Sequence, residues 1–488
     1  MIACPPEPRY GWLQMDLYPL WINGEPWDTG NYLTVTDKAT GAPWATVSQA
    51  GAKEVNAAVT AASHAFAKKS LTATQRYEIL TRAAELIRSR IDELALTMAY
   101  EAGKPLRDAR AEAERAADTF TWSAEESKRI HGEMVPLEAT PGSENRLAFT
   151  IRVPVGVVCA ITPFNFPLNL VAHKVAPALA AGNAVILKPA SYTPVVSAKL
   201  CAILTEAGLP PGWLNFVVGP GDSVGQALLN DSRIGFYTFT GSMPVGEALK
   251  RTIGLRRCTL ELGSNSAVIV HEDANIANAA TQCALKGFSY SGQVCLSVQR
   301  ILAHRAIADE FTAKLVSVTG GLHIGDPKDP ATDIGPMIAE NEARRAESWI
   351  LEAVDQGATL LTGGQRNGAF LSPAVLTNVQ QQMRVVCQET FAPIVVVQTY
   401  ETIEEALRIA NDTEFGLQGG IFTGSIAVAM EAARGFHVGG VMINDTSFYR
   451  AGQMPYGGVK HSGMGREGPH YAIEEMTELR LVVLNPQG

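Results

Sequence analysis

"VVCAITPFNFPLNLVAHKVAPALAAGNAVILKPA", residues 157–190, carries the reading that decides the fold. "VVCAI" is a short run rich in β-formers with no polar alternation, as expected of a strand covered on both faces. "LNLVAHKVAPALAAG" follows at helical length, and "AVILK" is a second apolar strand. The rhythm continues with a helix near 194–207, "LNFVV", a helix near 223–230 and "FYTFT". Strand and helix in alternation predict a parallel sheet with helices on both faces. A second alternation starts at "AVIV" (267–270), passes through a helix near 275–288 and reaches "PIVVV" (393–397) and "GGVMIN" (439–444). Two α/β units in series follow, with a boundary near residue 264. A chain of 488 residues also exceeds what one hydrophobic core organises.

Upstream, residues 53–130 read as helices. In "TQRYEILTRAAELIRSRIDELALTMAYEAG", Ile79, Leu80, Ala83, Leu86, Ile87, Ile91 and Leu94 recur at the spacing of one buried face, and Gly103 suits its end. "HGEMVPLEATPGSENRLAFTI", between helices and sheet, reads as an excursion from the first unit.

Composition removes several classes of function. Net charge is −9, with no basic block to follow a phosphate backbone, so nucleic acid is not an expected partner. The apolar runs are broken at strand length, so no membrane span is expected. Residues 1–21 lack a basic region followed by an apolar one, which argues against a secretory signal. Seven cysteines with no C-x-x-C pair fit neither a disulfide framework nor a zinc site; no metal is expected and a cytoplasmic, thiol-reduced protein is.

Three residues stand out chemically. Cys295, in "SYSGQVCLSVQR" (289–300), follows Ser291, Gly292 and Gln293. Small polar neighbours would leave its sulfur approachable, and a nearby helix start would favour the thiolate. Cys159, Cys201 and Cys283 read instead as buried apolar residues. Glu261, in "TLELGSNSA", ends an apolar strand before a glycine turn; it is either a turn cap or a desolvated general base. Asn165, between prolines in "ITPFNFP", either ties down its turn or donates to an oxyanion. "VVGPGDSVGQAL" and "FTGSMPVGEAL" place glycine turns after strands, where helix N-termini attract anions such as pyrophosphate. Pro244 fits the first helical turn behind the second of them. Neither has the G-x-G-x-x-G spacing, and such turns also occur in α/β proteins that bind no nucleotide.

Taken together, "ITPFNFPLN", "LKPA", "FTGS", "LELG", "SGQVC", "ETFAPI" and "MPYGGVKHSGMGRE" resemble the aldehyde dehydrogenase superfamily in order and spacing, over residues 20–480. The resemblance implies a Rossmann-like cofactor domain (18–130 and 149–263), an α/β catalytic domain (264–465) and oligomerisation segments (131–148 and 466–488). It also implies NAD(P)-dependent oxidation of an aldehyde to an acid through a cysteine thiohemiacetal and thioester. Cys295 matches the nucleophile, Asn165 the oxyanion-binding amide and Glu261 the base that activates water. Lys174 matches a lysine tied to proton relay, or is simply ion-paired. Lys188 matches the adenosine-ribose lysine, and Glu389 and Phe391 match the residues at the nicotinamide ribose and ring. Gly221, Gly225 and Ser242 fall on the pyrophosphate-side turns. Ser191 stands where strongly NAD-preferring members carry glutamate, so NADP is expected to be tolerated or preferred. A homodimer or homotetramer is implied, with "ELRLVVLN" expected to lack a partner strand in its own chain.

Along the implied substrate tunnel, Phe166 keeps an aromatic wall, while Arg115, His173, Ser289 and Arg450 replace apolar residues. An unpaired arginine there would favour an anionic substrate tail; alternatively, each arginine bonds a glutamate, with Glu112 and Glu114 near Arg115. His173 reads as a neutral pocket wall. Val294 stands where phosphate-selective glyceraldehyde-phosphate relatives tend to carry arginine. The motif variants look most like the lactaldehyde and sulfolactaldehyde branch, near semialdehyde and phosphonoacetaldehyde oxidisers. A short polar aldehyde, hydroxylated or anionic, is expected. Further alternatives are a CoA-acylating dehydrogenase, which commonly lacks a glutamate like Glu261, and an inactive structural homologue.

Overall fold

The computed structural model describes residues 15–68 and 71–486. Its first sheet has eight strands, and the middle five are parallel: Arg257–Glu261, Phe236–Thr240, Val157–Ile161, Ala184–Lys188 and Leu214–Phe216, in that spatial order. "VVCAI" sits at the centre, Cys159 pairing with Tyr237 on one side and Ile186 on the other. From there the chain winds first one way, to Leu214–Phe216, then back across to Phe236–Thr240 and Arg257–Glu261. Strand order therefore reverses beside Val157–Ile161, which opens a crevice at the carboxyl ends of the strands. Those ends deliver the Asn165 turn, Lys188, Ser242 and Glu261 to one edge.

A short segment, 262–266, then enters the second sheet. Its seven strands run Thr359–Thr362, Ala374–Thr377, Ile394–Tyr400, Arg300–His304, Ala267–Val270, Gln418–Phe422 and Gly440–Ile443, all parallel except the first. Cys295 lies five residues before Arg300, and Glu389 five before Ile394. The amino-terminal edge of the second sheet thus meets the carboxyl-terminal edge of the first.

The helical stretch is two helices, Ala73–Ser89 and Ile91–Ala102, broken at Arg90. Thr72 and Gln75 form a capping box at its start, and Gly103 closes it at φ 68°. The helix Asn169–Ala180 is buried along its whole length against Leu106–Ser127. Its first N–H groups are satisfied by Glu112, whose Oε1 accepts from Leu168 and Asn169 at 3.0 Å each. Glu101 does the same for Val195 and Val196 at the start of Val195–Glu206.

Two expectations change. The strand Thr477–Leu484 has a partner in its own chain, pairing antiparallel with Leu147–Pro154 from Thr477↔Pro154 to Leu484↔Leu147. Met134–Val135 completes this three-stranded sheet. Residues 466–476, expected as part of an oligomerisation segment, also pack within their own chain. Glu467 is buried, and the helix Pro469–Glu475 packs on Asn169–Ala180.

Candidate active site

Cys295 follows a turn in which Tyr290, Ser291 and Gly292 have φ of 48°, 55° and 67°. Three consecutive left-handed residues are costly and need outside restraint. Tyr290 Oη donates to Ala102 O and Ser291 Oγ to Gly335 O, both at 2.6 Å. Gln293 Oε1 accepts from Ile338 N at 2.8 Å. A Cβ on Gly292 would lie 2.1 Å from Ala392 O, so only glycine fits. Ser291, Gly292 and Gln293 are therefore buried anchors, not the small polar surroundings that would leave a sulfur open. No helix starts beside the thiol either; the next element is the strand Arg300–His304. Burial pushes the Cys295 thiol up to about 11, against the hydrogen bond from Tyr456 and the charge of Arg450. Tyr456 Oη is 3.2 Å from Sγ.

Asn165 reaches across from the first sheet. Its Nδ2 donates to Gln293 O at 2.9 Å and its Oδ1 accepts from Phe166 N at 3.1 Å. An amide nitrogen has two hydrogens, so one remains to give. Glu261 is buried with neither oxygen hydrogen-bonded. Burial, then the charge of Glu467, raises it well above the usual carboxylate range, opposed by Lys174, Arg450 and Arg466. It is not a turn cap. An unpartnered buried carboxyl is costly, which makes Glu261 a candidate functional group. Lys174 is ion-paired, its Nζ 2.6 Å from Glu467 Oε1 and 3.1 Å from Thr238 Oγ1. Arg450 Nη2 holds the other oxygen of Glu467 at 2.9 Å. Burial opposes the ionisation of Glu467, yet these two cations bring it down to about 2.

Cys295 opens onto a cavity of about 380 Å³ whose walls include Arg115, Phe166, Lys286, Phe448, Arg450 and Tyr456. Arg115 has neither Glu112 nor Glu114 as a partner. Glu112 pairs with Lys104, and no carboxylate among the described residues lies within ion-pair distance of Arg115. Phe166 rests on Lys104, whose Nζ is 3.7 Å from its ring centre. Arg450 has its glutamate, but Glu467 rather than a neighbour in sequence, and its Nε remains unbonded. His173 is a correction: it lies behind the wall, not in it, buried with Nε2 3.4 Å from Thr119 Oγ1. Burial holds it well below the ordinary histidine range and therefore neutral. Ser289 turns away to Asp108 at 3.2 Å.

On the other side of Cys295 the residues suit a nucleotide. Lys188 is buried, and its ammonium has no hydrogen-bond or carboxylate partner among the described residues. Gly221 and Gly225, in a wide turn before Gln226–Asn230, have nothing within 4 Å of where a Cβ would sit. Ser242 begins the helix Met243–Ile253 with its side chain unspent on capping. Ser191 Oγ donates to Gly219 O at 3.4 Å. Glu389 Oε1 accepts from Ser264 N at 2.9 Å, and Phe391, at φ 46°, meets Phe164 edge-on at 5.9 Å. Burial lifts Glu389 to about 7.

Tyr456, Glu467, Lys286, Phe448 and Lys104 were not singled out from the sequence as site residues. "MPYGG" and "GREGP", where a tyrosine and a glutamate stand among glycines, were the available signals for the first two.

A family profile described as "Aldehyde dehydrogenase family" matches residues 24–482. A 3-sulfolactaldehyde dehydrogenase of Priestia aryabhattai is 51% identical over 472 residues, 97% of this chain and 99% of that one. Among solved structures, aldehyde dehydrogenase 21 of Physcomitrella patens in complex with the reaction product succinate superposes with a TM-score of 0.94. It is 37% identical and covers 97% of this chain and 99% of its own. Glyceraldehyde-3-phosphate dehydrogenase GapN of Methanocaldococcus jannaschii, complexed with NADP, gives 0.89 at 38% identity, covering 93% of this chain and 99% of its own. The chain belongs to the aldehyde dehydrogenase family and is an NAD(P)-dependent aldehyde dehydrogenase.

Proposed function

We propose that the protein oxidises a short aldehyde with a hydroxyl group and an anionic tail, an aldehyde of the 3-sulfolactaldehyde kind, to the corresponding acid. The observation that carries this is Arg115, a guanidinium in the wall of the cavity that holds Cys295, with no carboxylate within ion-pair distance among the described residues. Lys286 lines the same wall and likewise has no ion pair among the described residues. A guanidinium and an ammonium across one small cavity suit a sulfonate, carboxylate or phosphate. Among the described residues, Asp445 is the one acid in the lining.

In this reading Cys295 Sγ attacks the aldehyde carbon. The oxygen that becomes negative is met by Asn165 Nδ2 and the Cys295 N–H. When NAD(P) is bound it would supply the hydride acceptor, so that loss of hydride from that carbon would leave a thioester on Cys295. Glu261, once ionised, accepts a proton from the water that cleaves the thioester. Lys188, Glu389, Phe391, Ser242 and the glycine turn at 221–225 hold the cofactor. Among the described residues six cysteines are unpaired, which fits a reducing, cytoplasmic setting. A homodimer or homotetramer is supported by Leu479, Leu481 and Val483, which alternate along one strand and are about half exposed.

The test is initial rates of nicotinamide reduction for length-matched aldehydes differing only in tail charge, with Arg115→Ala and Arg450→Ala alongside. Preference for the anionic tail, lost in Arg115→Ala, supports the reading. Equal rates for neutral hydroxyaldehydes, unchanged in both variants, replace it with a lactaldehyde-like substrate.

A further inference from the structure

Tyr456 supplies the one side-chain hydrogen-bond partner of the Cys295 sulfur among the described residues, Oη to Sγ at 3.2 Å. Its position is fixed from two directions. The backbone pairs with Glu467 through Tyr456 N to Glu467 O at 3.1 Å and Glu467 N to Tyr456 O at 2.7 Å. The Arg450 guanidinium lies 3.7 Å from the centre of its ring. Arg450 is in turn held by Glu467, and Glu467 by Lys174. The hydroxyl is thus aimed at sulfur by a buried framework, not left there by a mobile side chain. Burial raises the phenol well above its ordinary value, so the oxygen keeps its proton and stays a donor. A thiolate can only accept, which fixes the direction of the bond once Cys295 ionises.

Resting on the reading of Cys295 as nucleophile, we propose that Tyr456 is a catalytic residue whose hydroxyl donates to the Cys295 sulfur whenever that sulfur is anionic. The need arises twice. Before attack, the donated hydrogen bond favours thiolate over thiol in a site where burial opposes it. After oxidation, water adds its oxygen to the thioester carbon and loses a proton to Glu261. The carbon–sulfur bond then breaks with its electron pair going to sulfur. The same hydroxyl meets the departing thiolate, and Arg450 over the ring draws electron density from the phenol and strengthens its donation.

Tyr456→Phe removes only the oxygen and keeps the ring under Arg450. The measurement is the rate of Cys295 alkylation by iodoacetamide against pH, followed on the Cys295 peptide by mass spectrometry, with kcat and KM measured in parallel. The inflection is expected to rise by about one pH unit, and kcat to fall about tenfold at unchanged KM. 3-Fluorotyrosine, a stronger donor of almost the same shape, is expected to lower the inflection and serves if Tyr456→Phe does not fold. An unmoved inflection in both proteins, with Cys295→Ala inactive, overturns the role of Tyr456 and leaves the nucleophile standing. Full activity in Cys295→Ala overturns both.

Discussion

Lys104 and Glu112 form an ion pair with neither side chain exposed to solvent, directly beneath the ring of Phe166. Glu112 also holds the backbone of Leu168 and Asn169, so the pair supports the turn that presents Asn165. Lys104→Met would strand a buried carboxylate beneath that turn. The expected cost is about 3–5 kcal/mol, because removing one partner leaves an uncompensated charge. Urea unfolding of the parent and the variant measures it.

Glu261 is expected to set the acid limb of the rate. Burial raises its pKa, so it carries a proton well above the usual carboxylate range and accepts one from water only after losing it. Turnover therefore rises with pH through that elevated value. For stability the sign follows from a folded-state pKa above the unfolded one. The contribution is complete below the unfolded pKa and is lost as pH rises through the folded one. Glu101, raised by burial to about 8, acts in the same direction. Glu261→Gln should leave one burst of reduced cofactor without turnover and flatten part of the alkaline loss of stability. Stopped-flow absorbance and urea midpoints at neutral and alkaline pH report the two effects.

Ser191 offers no charge against a 2′-phosphate, its hydroxyl being turned to Gly219 O. Ser191→Glu is expected to lower kcat/KM for NADP about tenfold or more while leaving NAD within a few-fold, since like charges placed together are strongly unfavourable. The ratio of the two specificity constants decides it. Equal losses for both cofactors would remove Ser191 from the 2′ site.

Leu481 is 55% exposed in the middle of the strand Thr477–Leu484. If that face joins subunits, Leu481→Asp should halve or quarter the mass seen by light scattering and lower the melting temperature. A mass identical to the parent places the subunit contact elsewhere.

The two parallel sheets were legible because strands buried on both faces read as unbroken apolar runs, as "VVCAI" and "AVILK" do. Cys295, Asn165 and Glu261 were legible as candidates too, since each breaks the pattern around it. What depended on distant partners was not. Ser291, Gly292 and Gln293 look like an open turn until Gly335, Ala392 and Ile338 close on them. The pairing of Thr477–Leu484 with Leu147–Pro154 spans most of the chain, beyond the reach of any pattern of spacing. His173, expected in the tunnel wall on the resemblance alone, lies one layer behind it, because order along the chain does not give the depth of a neighbour such as Thr119 that covers it.

Arg115 and Lys286 enter the cavity beside Cys295 from two separate helices, Leu106–Ser127 and Ile276–Phe288, and neither side chain has an ion pair to break among the described residues. Replacing either breaks no ion pair among the described residues, only a ring contact, Arg115 with Phe166 and Lys286 with Phe448. Descendants of such a chain could exchange one tail chemistry for another by single substitutions on either side, while the fold they inherit stays as robust as before. A site cut along the seam of two separately wound sheets is in this sense free to diversify, and neither sheet has to change for it.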